Sequence, residues 1–169
     1  MGGEIPKIEI RRLGDREEAQ VCARMMAASE PWITLRRDFE AALTIMRDPG
    51  REVYVAAVDG QVVGFAILVM HGAFVGYVQS VGVAPAWRKR GVGRQLMAFV
   101  ERRILAETPN VFICVSSFND DARRLYERLG YHVVGELTDY IVAGHSEILL
   151  RKTVGPLSGF RAPGGHNSE

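Results

Sequence analysis

Apolar and polar residues alternate along Lys7–Leu13, which predicts a strand. The period then changes. Apolar residues at 19, 21, 22, 25, 26 and 28 fall on one face of a helix over Asp15–Ala28, and Ser29-Glu30-Pro31 stops it. A loop over Trp32–Arg37 leads into a second helix, Asp38–Met46, closed by Asp48-Pro49-Gly50. Glu52–Val58 and Gln61–His71 are strand patterns joined by Asp59-Gly60, a two-residue hairpin signal. Gly72 marks another turn, and Gly76–Val83 is the next strand. After a glycine-containing loop, Val92, Leu96, Phe99, Val100 and Ile104 share one helical face that ends before Pro109. Val111–Val115 is a short continuous apolar run, the kind of strand buried on both faces. Asp120–Leu129 carries a helical stripe at 122, 125, 126 and 129, with Gly130 where a C-cap glycine belongs. Tyr131–Leu137 and Ser146–Arg151 complete the pattern as strands.

The predicted order is β-α-α-β-β-β-α-β-α-β-β, one α/β domain over residues 1–152, with neither an internal repeat nor a dividing linker. The remaining stretch, 153–169, is rich in Gly, Pro and Ser and is expected to be a partly disordered tail. Composition adds limits. At 169 residues the chain can bury a substantial core, and 47% apolar with 24% charged residues is ordinary for a globular protein. A net charge of +1 gives no general reason to expect a nucleic-acid partner, so the arginines at 88–94, 102–103 and 123–128 are local features. Cys22 and Cys114 sit inside apolar patterns and read as two small buried residues, which fits a reducing, cytoplasmic location. Met1–Glu9 is charged and lacks the apolar core of a signal peptide; Val62–Met70 is too short to cross a bilayer, so no membrane association is expected. The histidines at 71, 132, 145 and 166 show no metal-ligand spacing, and no metal is expected.

The chemistry concentrates in Arg88-Lys89-Arg90-Gly91-Val92-Gly93-Arg94, between a strand and a helix. Unpaired N–H groups and the positive end of the helix dipole suit a phosphate there, and glycines let the backbone approach it closely. The P-loop pattern is absent. The dinucleotide pattern fails at Leu96, its third glycine position, and no acidic residue ends the following strand.

Val81 through Leu96 (Val-Gly-Val-Ala-Pro-Ala-Trp-Arg-Lys-Arg-Gly-Val-Gly-Arg-Gln-Leu) resembles the acetyl-coenzyme A motif of the GNAT acetyltransferases: a strand ending in Val-x-Pro, then [Q/R]-x-x-G-x-[G/A] at Arg88, Gly91 and Gly93. About 30 residues later, Asn119-Asp120-Asp121-Ala122-Arg123-Arg124-Leu125-Tyr126-Glu127-Arg128-Leu129-Gly130-Tyr131 resembles the family's second motif. The resemblance covers about residues 5–152. It implies a mixed, mostly antiparallel sheet of about seven strands flanked by about four helices, with acetyl-CoA in a gap between strands 76–83 and 111–115. It also implies that the pyrophosphate rests on backbone N–H groups of Arg88, Lys89, Arg90, Gly91, Val92, Gly93 and Arg94, with the last four the leading donors. Val81, Gly82 and Val83 would pair with the pantetheine arm, with Asn119 and Ala122 also on the cofactor, and Tyr126 would protonate the leaving thiolate. A plain core tyrosine at 126, and an N-cap role for Asn119, fit the helical pattern equally well.

Many relatives carry a carboxylate on the strand before the glycine loop; Gly76–Val83 has none. Glu30, Glu136, Asp139 or water held by Gln79 and Ser80 are the candidates for proton removal, and the base stays unassigned. The acceptor pocket would be shaped by residues 29–32 and 139–145, with Trp32 and Tyr140 either an apolar wall or ordinary packing. The function implied is acetyl-CoA-dependent N-acetyl transfer to a primary amine of a small molecule or of a protein or peptide, by direct attack on the thioester. The alternatives are an acyl-CoA-binding sensor without turnover and a nucleotide-binding regulator. A homodimer is compatible with the family, though no interface pattern is legible.

Overall fold

The computed structural model describes residues 7–164. Their elements run β1 (Glu9–Arg12), α1 (Arg16–Ala27), α2 (Phe39–Arg47), β2 (Glu52–Val58), β3 (Gln61–Val69), β4 (Tyr77–Val83), α3 (Val92–Leu105), β5 (Asn110–Ser116), α4 (Asp120–Arg128), β6 (His132–Leu137) and β7 (Glu147–Thr153), with a 3-10 turn at Pro85–Trp87. The order and type of the elements are those the periodicity predicts, with the predicted ends either matched or shifted by one or two residues. The strands form one mixed seven-stranded sheet in the order β1-β2-β3-β4-β5-β7-β6. The β1–β2, β2–β3, β5–β7 and β6–β7 pairs are antiparallel, and β4–β5 is parallel. The expectation for Met1–Glu9 lies partly, and that for the tail end 165–169 wholly, outside the described residues. Residues 155–164 are described and carry turns without helix or strand. Among the described residues no helix is long and apolar enough to cross a membrane.

Helix starts follow from local side-chain chemistry. Asp15 Oδ1 accepts from the N–H of Glu18, and Glu18 Oε2 accepts from the N–H of Gly14, so two donors at the start of α1 are satisfied reciprocally. Asp38 does the same for Ala41 at α2. The β2–β3 turn has Asp59 at φ 49° and Gly60 at φ 78°, the pair of left-handed residues that a tight hairpin needs.

The chain divides into two compact units. The first holds the described residues up to Leu68 with Ser80–Phe99; the second holds Val69–Gln79 and the chain from Val100 onward, so β4 and α3 each contribute to both. In the first, α1 and α2 bury Ala19, Cys22, Ala23, Met26, Ala42, Leu43 and Met46 in one cluster with Val53, Val55, Phe65 and Ile67 of β2 and β3. In the second, β5 and β7 are paired over their full lengths, from Asn110↔Thr153 to Ser116↔Glu147. β5 is not buried on both faces as its apolar run suggests. Phe112 and Cys114 are half-buried, while Val111, Ile113 and Val115 are buried. One face of this strand is therefore partly open.

Candidate active site

In the first unit, β4 ends at Val83 and the 3-10 turn delivers the chain to the basic loop. Lys89 (φ 59°) and Gly91 (φ 84°) are both left-handed, which turns the backbone into α3. A Cβ on Gly91 would meet nothing within 4 Å, and one on Gly93 would come no closer than 3.7 Å, to Val83 Cγ2. Neither glycine is required by neighbouring protein atoms. The first turn of α3 holds no acidic residue, and its N–H groups have no partner four residues back within the helix. Arg88 differs from the rest of the loop. Its N–H donates to Pro85 O at 3.3 Å, its Nε to Val83 O at 3.2 Å and its Nη2 to Ser29 Oγ at 3.2 Å. The side chain thus pins the loop to the end of α1. Arg90 stacks over the Trp87 ring at 5.2 Å.

The residues that the resemblance assigns to the pantetheine arm are arranged unequally. Gly82 has a packing reason of its own, because a Cβ there would sit 2.5 Å from two ring carbons of Phe65 and 3.2 Å from Trp32 Cη2. Trp32 is 8% exposed and lies against Phe65 with ring centroids 5.8 Å apart. It belongs to the core of the first unit. Val81 and Val83 are half-buried, and the Val83 carbonyl already accepts from Arg88. Ser80 is buried. Glu30 is exposed and accepts from the Thr34 N–H at 3.2 Å, a local turn contact.

In the second unit, Asn119 is the N-cap of α4: its Oδ1 accepts from the Ala122 N–H at 3.4 Å, and its own N–H donates to Ser116 O at 2.8 Å. Tyr126 is the buried residue of this helix. Its ring packs edge-on against Tyr131 at 5.9 Å, and burial pushes its phenol up to about 12. The helix ends on Gly130 (φ 96°), and Tyr131 N–H returns to Tyr126 O at 3.0 Å. Tyr131 is then fixed by Glu101, which also takes Lys152 Nζ at 2.8 Å.

The second unit also gathers a polar group that sequence reasoning missed. Cys114 is not merely a small buried residue: it is half-buried, and the Tyr77 hydroxyl hydrogen-bonds to its sulfur. Burial raises the thiol, the Tyr77 contact opposes this, and the charge of Glu147 raises it further. Burial likewise raises the Tyr77 phenol, with Cys114, Glu147 and Tyr140 acting in the same direction. Glu147 is 4% exposed, and Ser116 Oγ donates to its Oε1 at 2.7 Å. Tyr140 is 63% exposed, at a turn where Asp139 Oδ1 holds the Gly144 N–H at 2.7 Å. Glu136 is exposed on β6.

A family model described as the acetyltransferase (GNAT) family matches residues 17–131. The chain belongs to that family. This GNAT protein is an acetyltransferase. It is similar to an acetyltransferase of Pectobacterium atrosepticum, 29% identical over 133 residues, which cover 78% of this chain and 92% of that protein. Among solved structures, a GNAT-family protein from Desulfovibrio desulfuricans shares the fold with a TM-score of 0.76 at 24% identity, over 88% of this chain and all of that one. The ribosomal-protein-S18-alanine N-acetyltransferase of Escherichia coli shares it with a TM-score of 0.68 at 17% identity, over 89% and 96%. An aminoglycoside 6'-N-acetyltransferase from Enterococcus faecium does so with a TM-score of 0.67 at 17% identity, over 88% and 98%.

Proposed function

We propose that this acetyltransferase moves the acetyl group from coenzyme A to a primary amine by direct attack on the thioester. In this reading the N–H groups of Gly91, Val92, Gly93 and Arg94 hold the pyrophosphate, and Arg88 keeps their loop in place. The backbone of Val81–Val83 pairs with the pantetheine arm, and Asn119 and Ala122 orient its thiol end. Tyr126 gives its proton to the departing sulfur. Coenzyme A supplies the activated acyl group; the protein binds, orients and moves protons.

The observation that carries the assignment of Tyr126 is its environment. Its phenol is buried and its ring is fixed by Tyr131. With its pKa pushed up to about 12, the group is protonated throughout the neutral range and can act as an acid.

The open turn around Tyr140 and the half-open face of β5 favour an acceptor delivered to the second unit's polar group, a free small amine or the end of a peptide. A panel of small polyamines, aminoglycosides and peptides with free N-termini, assayed for thiol release with acetyl-CoA, tests the reading. Amine-dependent release with a matching N-acetyl product is expected. Stabilisation by acetyl-CoA with no release on any acceptor would instead favour an acyl-CoA sensor.

A further inference from the structure

Gly91 and Gly93 leave room beside the basic loop, but they do not hold it in shape. Lys89 takes a left-handed backbone (φ 59°), which costs energy for any residue with a Cβ. Such a conformation persists where its surroundings over-determine it. On the C-terminal side α3 closes the loop, with the Gln95 N–H donating to Gly91 O at 3.0 Å. On the N-terminal side stands Arg88, bonded at three points: its N–H to Pro85 O, its Nε to Val83 O and its Nη2 to Ser29 Oγ. The first two are local. The third reaches back 59 residues within the first unit, to the end of α1.

Ser29 is a fixed point. It is 5% exposed, its N–H donates to Met26 O at 3.1 Å, and its carbonyl accepts from the Ile33 N–H at 3.2 Å. The turn that follows is equally constrained. The Leu35 N–H donates to Pro31 O at 3.0 Å and the Arg37 N–H to Trp32 O at 2.9 Å, while the Trp32 ring packs in the core against Phe65. Trp32 also lies against β4, its Cη2 3.2 Å from where a Cβ on Gly82 would stand. One rigid turn therefore touches β4 at Gly82 and the basic loop at Arg88, and so sets the loop relative to the strand. Arginine suits the task, because its planar fork holds two acceptors in fixed geometry, which the single ammonium of lysine does not.

We propose that Ser29 is a positioning residue for the acyl donor; this rests on the acetyl-transfer reading above. Through Arg88 it holds the basic loop at the spacing from β4 that lets one coenzyme A molecule engage both, with its pyrophosphate on the loop and its pantetheine arm on the strand. Ser29 acts by way of Arg88 and not by touching the donor. The cost of ordering the loop is then met in folding, and less of it is left to binding. The consequence is selective. A donor that uses loop and strand together depends on their spacing, whereas a donor that ends at pantetheine depends on the strand alone.

The test compares two donors, acetyl-CoA and S-acetyl-pantetheine, which lacks the pyrophosphate. Each is read as kcat/KM with the best amine of the panel, on the full-length parent, Ser29→Ala, Arg88→Ala and the double variant. Ser29→Ala is expected to lower kcat/KM for acetyl-CoA about 10-fold, the scale of one hydrogen bond from a charged donor, and to leave acetyl-pantetheine within about twofold. The double variant should be no worse than Arg88→Ala alone, because both substitutions break the same contact. Equal losses on the two donors, an acetyl-CoA value unchanged by Ser29→Ala, or additive losses in the double variant overturn the proposal. If Ser29→Ala does not fold, Arg88→Lys decides, since that side chain is exposed and keeps its charge while giving up the fork. It should show the same donor-selective loss, and an unchanged ratio between the donors overturns the proposal. A parent protein that uses acetyl-CoA no better than acetyl-pantetheine refutes the pyrophosphate reading of the loop, and the proposal with it.

Discussion

Replacing Gly93 with alanine separates stability from donor binding at the phosphate loop. Gly93 lies in the first turn of α3 with an ordinary helical backbone, and a Cβ there would stand 3.7 Å from Val83 Cγ2, normal contact distance. Alanine is better than glycine in a helix by about 0.5–1 kcal/mol, so the folded protein should gain that much. For a chain of this size the melting temperature should rise by roughly 1–4 °C. The same methyl group would stand where a pyrophosphate must approach the backbone. A hydrogen bond to a charged group contributes about 1.5–3 kcal/mol, so losing one weakens coenzyme A binding roughly 10- to 150-fold. Differential scanning calorimetry and titration calorimetry with coenzyme A read the two effects separately. A lower melting temperature, or coenzyme A affinity within twofold of the parent, would refute the view that this glycine serves the ligand.

Other substitutions probe different links. Gly82→Ala should do the opposite of Gly93→Ala: its Cβ would overlap two ring carbons of Phe65 at 2.5 Å, and overpacking of this kind costs about 1–3 kcal/mol, seen as a lower midpoint in urea unfolding. Glu18 has its pKa lowered, chiefly by the hydrogen bonds from Arg11, with the Gly14 N–H helping and desolvation opposing. A depressed carboxylate stabilises the fold above its unfolded pKa and loses that contribution as pH falls through the folded value. Glu18→Gln should therefore flatten the decline of melting temperature below about pH 4.5 while being less stable at pH 7.

The order of strands and helices was legible in the chain because each element carries its own period and its own punctuation. Asp15 and Asp38 announce helix starts, Asp59-Gly60 the hairpin, and Gly130 the end of α4. The place of the basic, glycine-containing loop between a strand and a helix was equally legible, since Gly91 and the apolar stripe from Val92 mark the turn into α3. Tertiary contacts were not. Arg88 reads as one cation among four, yet its side chain reaches Ser29, 59 residues away in sequence. Trp32 reads equally as pocket wall or core, and only its packing on Phe65 places it in the core. β5 reads as doubly buried because apolar residues on both faces hide which face is open. Glu147 gives no signal at all: its partner Ser116 lies 31 residues earlier, and a single carboxylate at a strand start looks like any solvated charge. Its burial is the signal, and burial of that kind is set by the fold.

Tyr126→Phe isolates the hydroxyl on which protonation of the leaving thiolate depends. The ring, its packing on Tyr131 and the buried volume are kept, and only the hydroxyl is removed. Single-turnover acetyl transfer and coenzyme A affinity should be measured on parent and variant between pH 7 and 10, a range in which the parent phenol, pushed up to about 12, stays protonated. Unchanged coenzyme A affinity and a rate lower by about 10²–10⁴, the span of general acid catalysis, are expected. Transfer by the phenylalanine variant at the parent rate across that range would contradict that dependence.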